Sequence, residues 1–215
     1  MKATKKILAL SLTLMMALSC TIFPVNAASA DMQKTSSYAG ENKAVHLVVF
    51  GADGEVTKET EFTVAIPAGA TTEEEITLTN AAARANSGIP MTRADYTGDD
   101  LVSHTGGFTI ASAGAAQRVG GGVLQHNYKI LYAELNGVRG TASMFNIRIE
   151  SQHNSNIYTS DKIRGEFSYL YMFDGTYYGT GNLDLSKNEE IEVWCSVNSG
   201  SIFVDDVYIS CSETY

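Results

Sequence analysis

The second half of the chain repeats one pattern, a short run of alternating apolar and polar residues followed by a glycine or asparagine turn. Runs of this length, at this even spacing, are typical of β-strands. Many short antiparallel strands joined by such turns indicate a β-sandwich or barrel. We therefore predict a mainly β fold, an antiparallel β-sandwich. The runs are YKILYAEL (128–135), SMFNIRIE (143–150), GEFSYLYMF (165–173), IEVWCSV (191–197) and GSIFVDDVYIS (200–210).

The first half of the folded part predicts a hairpin and a single helix. Residues 45–50 and 55–66 flank Gly-Ala-Asp-Gly, and its Asp-Gly pair favours a hairpin turn. Three consecutive glutamates after a threonine-rich start, and an Asn-Ser-Gly stop, predict one short helix near residues 72–86. Residues 91–122 are interpreted as loops with one strand near 108–111.

The first thirty residues have the features of a secretory signal peptide. Three lysines precede an apolar run, and small residues follow, with cleavage expected after Ala27 or Ala30. A membrane anchor fits less well because the run is short, and a lipid anchor at Cys20 remains an alternative. The predicted organisation is a signal peptide (1–30), a disordered spacer (31–43) and one domain (44–215). We expect a secreted, extracellular protein, of a type common in bacteria, whose mature chain does not insert into membranes.

The net charge limits the partners that we expect. The full chain has 15 basic and 24 acidic residues, a formal charge of -9. Removal of residues 1–30 takes away three lysines and no acid, which leaves 12 minus 24, or -12. Such an acidic surface disfavours nucleic acid and anionic membranes, and leaves neutral sugars, cations and basic proteins as partners.

The last two strands are predicted to pair as a hairpin through residues 198–200. In residues 191–197 the odd positions are apolar, so the odd face is expected to be the core face. Carried into the last strand, this alternation predicts that Asp205 points inward and that Asp206 points outward, on the side of Trp194 and Tyr208. A β-bulge would reverse that assignment.

Two cysteines remain after the signal peptide, Cys195 and Cys211. In the predicted hairpin they lie roughly 20 Å apart, at about 3.3 Å per residue. A disulfide needs Cα atoms within about 7 Å. Free buried thiols are therefore favoured over a disulfide. The disulfide stays an alternative because an exported protein meets an oxidising compartment.

An inward Asp205 needs a compensating partner because an isolated buried carboxylate is very costly. Three partners are open: a bound Ca²⁺, an arginine or lysine, or backbone N–H groups. Calcium suits an exported protein with several aspartates near turns.

The segment GSIFVDDVYIS, with IEVWCSV before it, resembles the closing strands of jelly-roll carbohydrate-binding modules. The resemblance implies a jelly-roll-like sandwich and a glycan ligand. It also implies that Asp205 helps to hold a structural calcium ion.

The candidate ligand-binding residues are aromatic or acidic. Trp194 lies on the polar face of its strand, where a flat ring can stack on a sugar and a neighbouring acid can accept its hydroxyls. The competing interpretation packs Trp194 under the helix or the N-terminal hairpin. The full set is Trp194, Tyr208, Asp206, Tyr177 and Tyr178.

Three function classes remain open. The first is a secreted non-catalytic protein that binds glycans or cell surfaces. The second is a secreted glycoside hydrolase using two of Glu134, Glu150 and Glu166, although no catalytic residue is assigned. The third is an exported interaction or toxin-like protein that recognises a cell-surface protein.

Overall fold

The computed structural model describes residues 40–89, 99–111, 114–152, 156–165, 167–175 and 183–212. Ten strands and one helix lie in these ranges, in the order β1 (Asn42–Phe50), β2 (Val56–Ala65), α1 (Thr72–Ser87), β3 (Asp99–Ala111), β4 (Gln117–Val123), β5 (Ile130–Gly140), β6 (Met144–Ser151), β7 (Asn156–Lys162), β8 (Phe167–Asp174), β9 (Glu190–Val197) and β10 (Ser201–Ser212).

Two sheets pack face to face as a β-sandwich, which confirms the predicted fold class. One sheet has the order β2-β1-β8-β5-β10-β3, and the other has the order β4-β9-β6-β7. Count β3 as the first of eight strands and β10 as the eighth. One sheet then holds the first, eighth, third and sixth of them (β3, β10, β5 and β8), and the other holds the second, seventh, fourth and fifth (β4, β9, β6 and β7). This is the strand order of a jelly roll.

The N-terminal hairpin extends the six-stranded sheet beyond the jelly roll. β1 and β2 pair antiparallel as predicted, with Val45 opposite Phe62. β1 also pairs with β8, but in parallel, with Val45 opposite Ser168. The sheet is therefore mixed, whereas the sequence pattern predicted antiparallel strands throughout.

Helix α1 crosses the outer face of the six-stranded sheet, because it connects β2 at one edge to β3 at the other. It begins with a capping box in which the Thr71 side chain accepts from the Glu74 backbone and the Glu74 side chain accepts from the Thr71 backbone. It ends at Gly88, whose φ of 78° is left-handed. A small apolar cluster fills the space between α1 and the sheet and includes Leu47, Ala83, Ile130, Tyr132, Leu170 and Met172.

The main core lies between the two sheets. It takes alternate residues of both sheets, for example Phe145 and Val193 from one and Val48 and Tyr171 from the other. The predicted core face of β9 is confirmed, since its four odd positions are buried. Tyr169 and Tyr171 are likewise buried.

The predicted hairpin of β9 and β10 is wrong. The two strands belong to different sheets, and Asn198-Ser199-Gly200 carries the chain from one sheet to the other. Cys195 and Cys211 are both buried and both free. Free thiols were the favoured alternative. The hairpin from which that expectation was argued does not exist, because the two cysteines lie on strands of different sheets.

The inward orientation predicted for Asp205 is also wrong. Ile202 and Val204 reach the core from even positions, but after them Val207, Ile209 and Cys211 reach it from odd positions. The facing of β10 therefore changes at Asp205 and Asp206, and neither carboxylate lies in the core.

The cause of this change is visible in the neighbouring strand β5. Its pairing with β8 shifts register between Leu135 and Val138. Gly137 lies inside this irregularity with a left-handed φ of 62°, and a Cβ on it would come within 2.1 Å of the Asp205 carboxylate. The missing side chain of Gly137 leaves the space that Asp205 occupies on the outer face.

Residues 91–122 contain more regular structure than the sequence indicates. The predicted single strand is part of the 13-residue β3, and the glycine-rich stretch forms β4. At the other end, β1 begins at Asn42, so Lys43 of the predicted spacer is a strand residue. Among the residues described, no helix is long and apolar enough to cross a membrane.

Candidate functional site

A row of large side chains crosses the outer face of the four-stranded sheet. Trp194 of β9 is paired with Arg118 of β4 on one side and with Arg148 of β6 on the other. Arg148 is in turn paired with Tyr158 of β7. Trp194 and Tyr158 are therefore two strand spacings apart, about 10 Å. We call these four residues the aromatic row.

The aromatic row is ordered by charged neighbours. The Arg148 guanidinium lies over the Trp194 ring, 5.1 Å from its centroid. The Trp194 indole N–H donates to Glu192 over 3.2 Å, and Arg118 contacts Glu192 and Glu190 at 2.9 Å. Such contacts hold the indole in one orientation and leave several carboxylate oxygens near it.

The aromatic row faces solvent. Tyr158 is 62% exposed, and Trp194 is half-buried. The helix and the N-terminal hairpin belong to the other sheet, so within the described residues they do not cover Trp194. Tyr158 was missed in the sequence because its short strand does not show a clear apolar alternation. It is exposed because it points away from the core, whereas its neighbour Ile157 points into it.

Tyr208 and Asp206 lie on the opposite outer face, that of the six-stranded sheet. Tyr208 is buried and its ring centroid lies 4.9 Å from that of His104. Asp206 contacts the His104 ring nitrogen Nε2 at 2.8 Å. The prediction that Asp206 and Tyr208 share a face with Trp194 is therefore wrong, because β9 and β10 are not neighbours.

A buried ionic triad lies between α1 and this face. The Lys43 ammonium lies 2.8 Å from Glu75 Oε1 and 2.5 Å from Glu134 Oε1. Burial lowers the pKa of Lys43, but the charges of Glu134 and Glu75 outweigh it and the pKa is raised. Burial raises the pKa of Glu134, and the charge of Lys43 only partly opposes that effect.

A pocket of about 220 Å³ opens beside the triad. Lys43 and Glu75 form one side, and Asn136, Ser168 and Asp205 form another. The Ser168 hydroxyl donates to Asn136 Oδ1 over 2.5 Å, which fixes the amide. The pocket is thus a polar site lined by residues of β1, α1, β5, β8 and β10.

Asp205 is compensated by an arginine, one of the three partners left open by the sequence. Arg139 donates from Nη1 to Asp205 Oδ2 over 2.7 Å and from Nη2 to Oδ1 over 2.9 Å. The described residues contain no group of three or more histidine, cysteine, aspartate or glutamate side chains placed to hold a metal ion. The calcium role of Asp205 stays a prediction. Tyr177 and Tyr178 lie outside the described residues.

The acids considered for hydrolysis are not brought together. Glu134 is buried beside Lys43 on the six-stranded sheet. Glu150 lies on the outer face of the four-stranded sheet, where it contacts Arg148 at 3.2 Å. Glu166 is outside the described residues. Glu134 and Glu150 lie on opposite sides of the sandwich and do not form a catalytic pair.

Comparisons with known proteins leave the chain without an assigned family. No protein family matches its sequence, and no curated protein matches it. Among solved structures, it is similar to an exo-β-1,3-galactanase from Phanerochaete chrysosporium solved with galactose, at 11% identity and a TM-score of 0.31. The match covers 70% of this chain and 37% of the galactanase, so the chain spans well under half of that protein.

Proposed function

We propose that this chain is an exported, non-catalytic glycan-binding protein whose ligand lies along the aromatic row. The observation that carries the proposal is the solvent-facing pair of Trp194 and Tyr158, set about 10 Å apart on one face of the same sheet. The Tyr158 ring and the Trp194 face that Arg148 leaves uncovered offer two stacking surfaces to an extended sugar chain.

The polar groups around the two rings suit sugar hydroxyls. Glu192 and Glu150 face each other across β9 and β6 beside the row. Asn146 lies on the same strand on the other side of the row from Glu150, where it donates to Ser196 over 3.3 Å and accepts from Ser160 over 2.7 Å. Acceptors and donors that are already fixed by neighbours can bind a ligand at a low entropic cost.

Binding to a glycan array tests the proposal. The intact chain is expected to retain specific glycans, and Trp194→Ala and Tyr158→Ala are each expected to weaken binding at least tenfold, about 1.4 kcal/mol. Val56→Ala is the matched control, because it truncates an exposed apolar side chain on the other sheet. Retained glycans should not be hydrolysed on prolonged incubation.

Two results would refute this function. Undiminished glycan binding by Trp194→Ala would remove the aromatic row from the site. Turnover of a retained glycan would instead support the alternative of a hydrolase.

The predicted calcium ion is tested separately by thermal melting. A metal that binds only the folded protein raises its stability, by about 2.7 kcal/mol at a hundredfold excess over Kd. If Asp205 holds a structural calcium ion, Ca²⁺ raises the melting temperature relative to chelator, and Asp205→Asn abolishes the rise. Equal melting temperatures with Ca²⁺ and with chelator would eliminate the structural calcium.

A further inference from the structure

The pocket beside Lys43 is a second site, and it lies on the other side of the sandwich from the aromatic row. Its walls come from β1, α1, β5, β8 and β10. Its volume of about 220 Å³ is below the roughly 300 Å³ at which drug-sized ligand sites begin. It therefore has room for one small molecule and not for a chain.

The charges around this pocket are predominantly negative. Glu41, Glu75 and Asp205 line it, and Glu134 lies behind Lys43. Lys43 and Arg139 are the bases in contact with these acids. Among the buried and half-buried groups, three acids against two bases leave a formal charge of -1, and the exposed Glu41 adds a fourth acid. Charge interactions are stronger where the groups are shielded from water than in bulk solvent.

Glu75 is incompletely satisfied. Its side chain is only 4% exposed, and Oε1 receives Lys43 at 2.8 Å. Its other oxygen, Oε2, is buried and has no hydrogen-bond partner in the described part of the chain. A buried carboxylate oxygen without a donor is costly, and in native proteins such a group often marks the place of a missing partner.

We propose that the pocket binds a small molecule that carries a protonated primary amine. An ammonium group brings one positive charge and three N–H donors. These features match the Glu75 Oε2 atom that has no donor, the second lone pairs of the Asp205 carboxylate that Arg139 leaves open, and the net negative charge. A neutral molecule of the same size brings donors but leaves the charge uncompensated.

Isothermal titration of the full chain with three probes tests this. D-glucosamine and ethanolamine carry the amine, and D-glucose has the ring without it. We expect saturable binding of both amines, competition between them, and binding of glucose at least tenfold weaker. The absence of saturable amine binding, or equal binding of glucose, would overturn the proposal. The proposal would also be overturned if the intact chain bound Ca²⁺ but no amine and Glu75→Gln lost the Ca²⁺ binding. The pocket would then be a metal site.

Variants that keep side-chain shape locate the site. Glu75→Gln and Asp205→Asn should each weaken glucosamine binding at least fivefold, and Glu59→Gln, which removes one exposed acid from β2, should not. Circular dichroism and melting curves verify that each variant folds. If Glu75→Gln does not fold, the binding measured for Asp205→Asn decides whether the amine occupies this pocket. Trp194→Ala should bind glucosamine normally, so a failure here is separable from a failure of the aromatic row. Loss of binding in Glu59→Gln as well would reduce the effect to overall charge and refute the site.

Discussion

The geometry at Asp205 depends on the absence of a single methyl group. Gly137 has a left-handed backbone, and the Asp205 carboxylate lies where its Cβ would be. The same carboxylate binds Arg139 through two hydrogen bonds, and the guanidinium lies over the Phe203 ring at 4.5 Å. One glycine in β5 therefore determines which way a side chain in β10 points.

Replacement of Gly137 should lower the stability of the fold by more than its backbone angle alone explains. A left-handed backbone costs a non-glycine residue about 1–2 kcal/mol. Gly165→Ala is the matched control, since its φ is 83° and nothing lies within 4 Å of the added carbon. We expect Gly137→Ala to lower the free energy of unfolding by about 3 kcal/mol in urea titrations, against about 1–2 kcal/mol for Gly165→Ala.

A double variant separates the two contributions in Gly137→Ala. Asp205→Ala in the same chain removes the colliding carboxylate, so it should recover part of the loss. If Gly137→Ala and Gly165→Ala lower stability equally, the close approach of Asp205 has no energetic role.

Glu134 gives the chain a pH dependence of known sign. Burial raises its pKa in the folded state above the ordinary 4.5. Its stabilising contribution is therefore complete below about pH 4.5 and is lost as the pH rises through the folded pKa. We expect the free energy of unfolding of the wild type to fall with pH above 4.5 more steeply than that of Glu134→Gln. Urea titrations between pH 4 and 8 measure this, and parallel curves would contradict it.

Among the elements, local signals predicted α1 and the first hairpin well, and distant contacts decided what the sequence did not show. The Asp-Gly turn and the helix stop act within a few residues, so both were correct. The change of facing in β10 depends on Gly137 in another strand, which no pattern within residues 200–210 reveals. A short Asn-Ser-Gly connection likewise fits a hairpin or a passage between sheets.

The capping box of α1 should have a measurable effect because the helix covers an apolar cluster. Thr71 accepts from the Glu74 backbone over 3.2 Å. Thr71→Ala should lower the free energy of unfolding by about 1 kcal/mol. Thr77→Ala, at an exposed position inside the helix, should be neutral or slightly stabilising because alanine favours helix. Guanidinium titration of both variants measures the difference, and equal effects would argue against the cap.

On the scale of the whole molecule, the N-terminal hairpin extends the jelly roll and α1 packs on its outer face. The pattern of strands was enough to predict two sheets, but not that a parallel β1 extends one of them and that a helix crosses its outer face. The sequence therefore identified candidate residues by the chemistry of their side chains but not by their place in the fold. It grouped Trp194, Tyr208 and Asp206 on one face, although Trp194 lies on the four-stranded sheet and the other two lie on the six-stranded sheet.

A chain that begins at Asp99 should expose the face that α1 covers. Ile130, Leu170 and Met172 would be solvent-accessible, and β8 would become an open sheet edge. We expect this shortened chain to bind a hydrophobic dye and to associate in light scattering. Polar replacements at Leu170 and Met172 should reduce both signals, and a monomeric shortened chain without dye binding would show that the layer is dispensable.

The position of β10 inside the six-stranded sheet sets an order of assembly. β3 has β10 as its partner in that sheet, with Ala111 opposite Ser201, and β5 holds the other side of β10. While the chain is being synthesised, β3 therefore has no strand to pair with in this sheet until Ser201 emerges, 90 residues after Ala111 (201 minus 111). The other strand pairs do not need β10: β1 with β2 and β6 with β7 form locally, and β5 with β8 and β9 with β4 and β6 are complete by residue 197. A chain that has to cross a membrane before folding would thus lack the strand that joins β3 to the rest of the six-stranded sheet until residues 201–212 arrive.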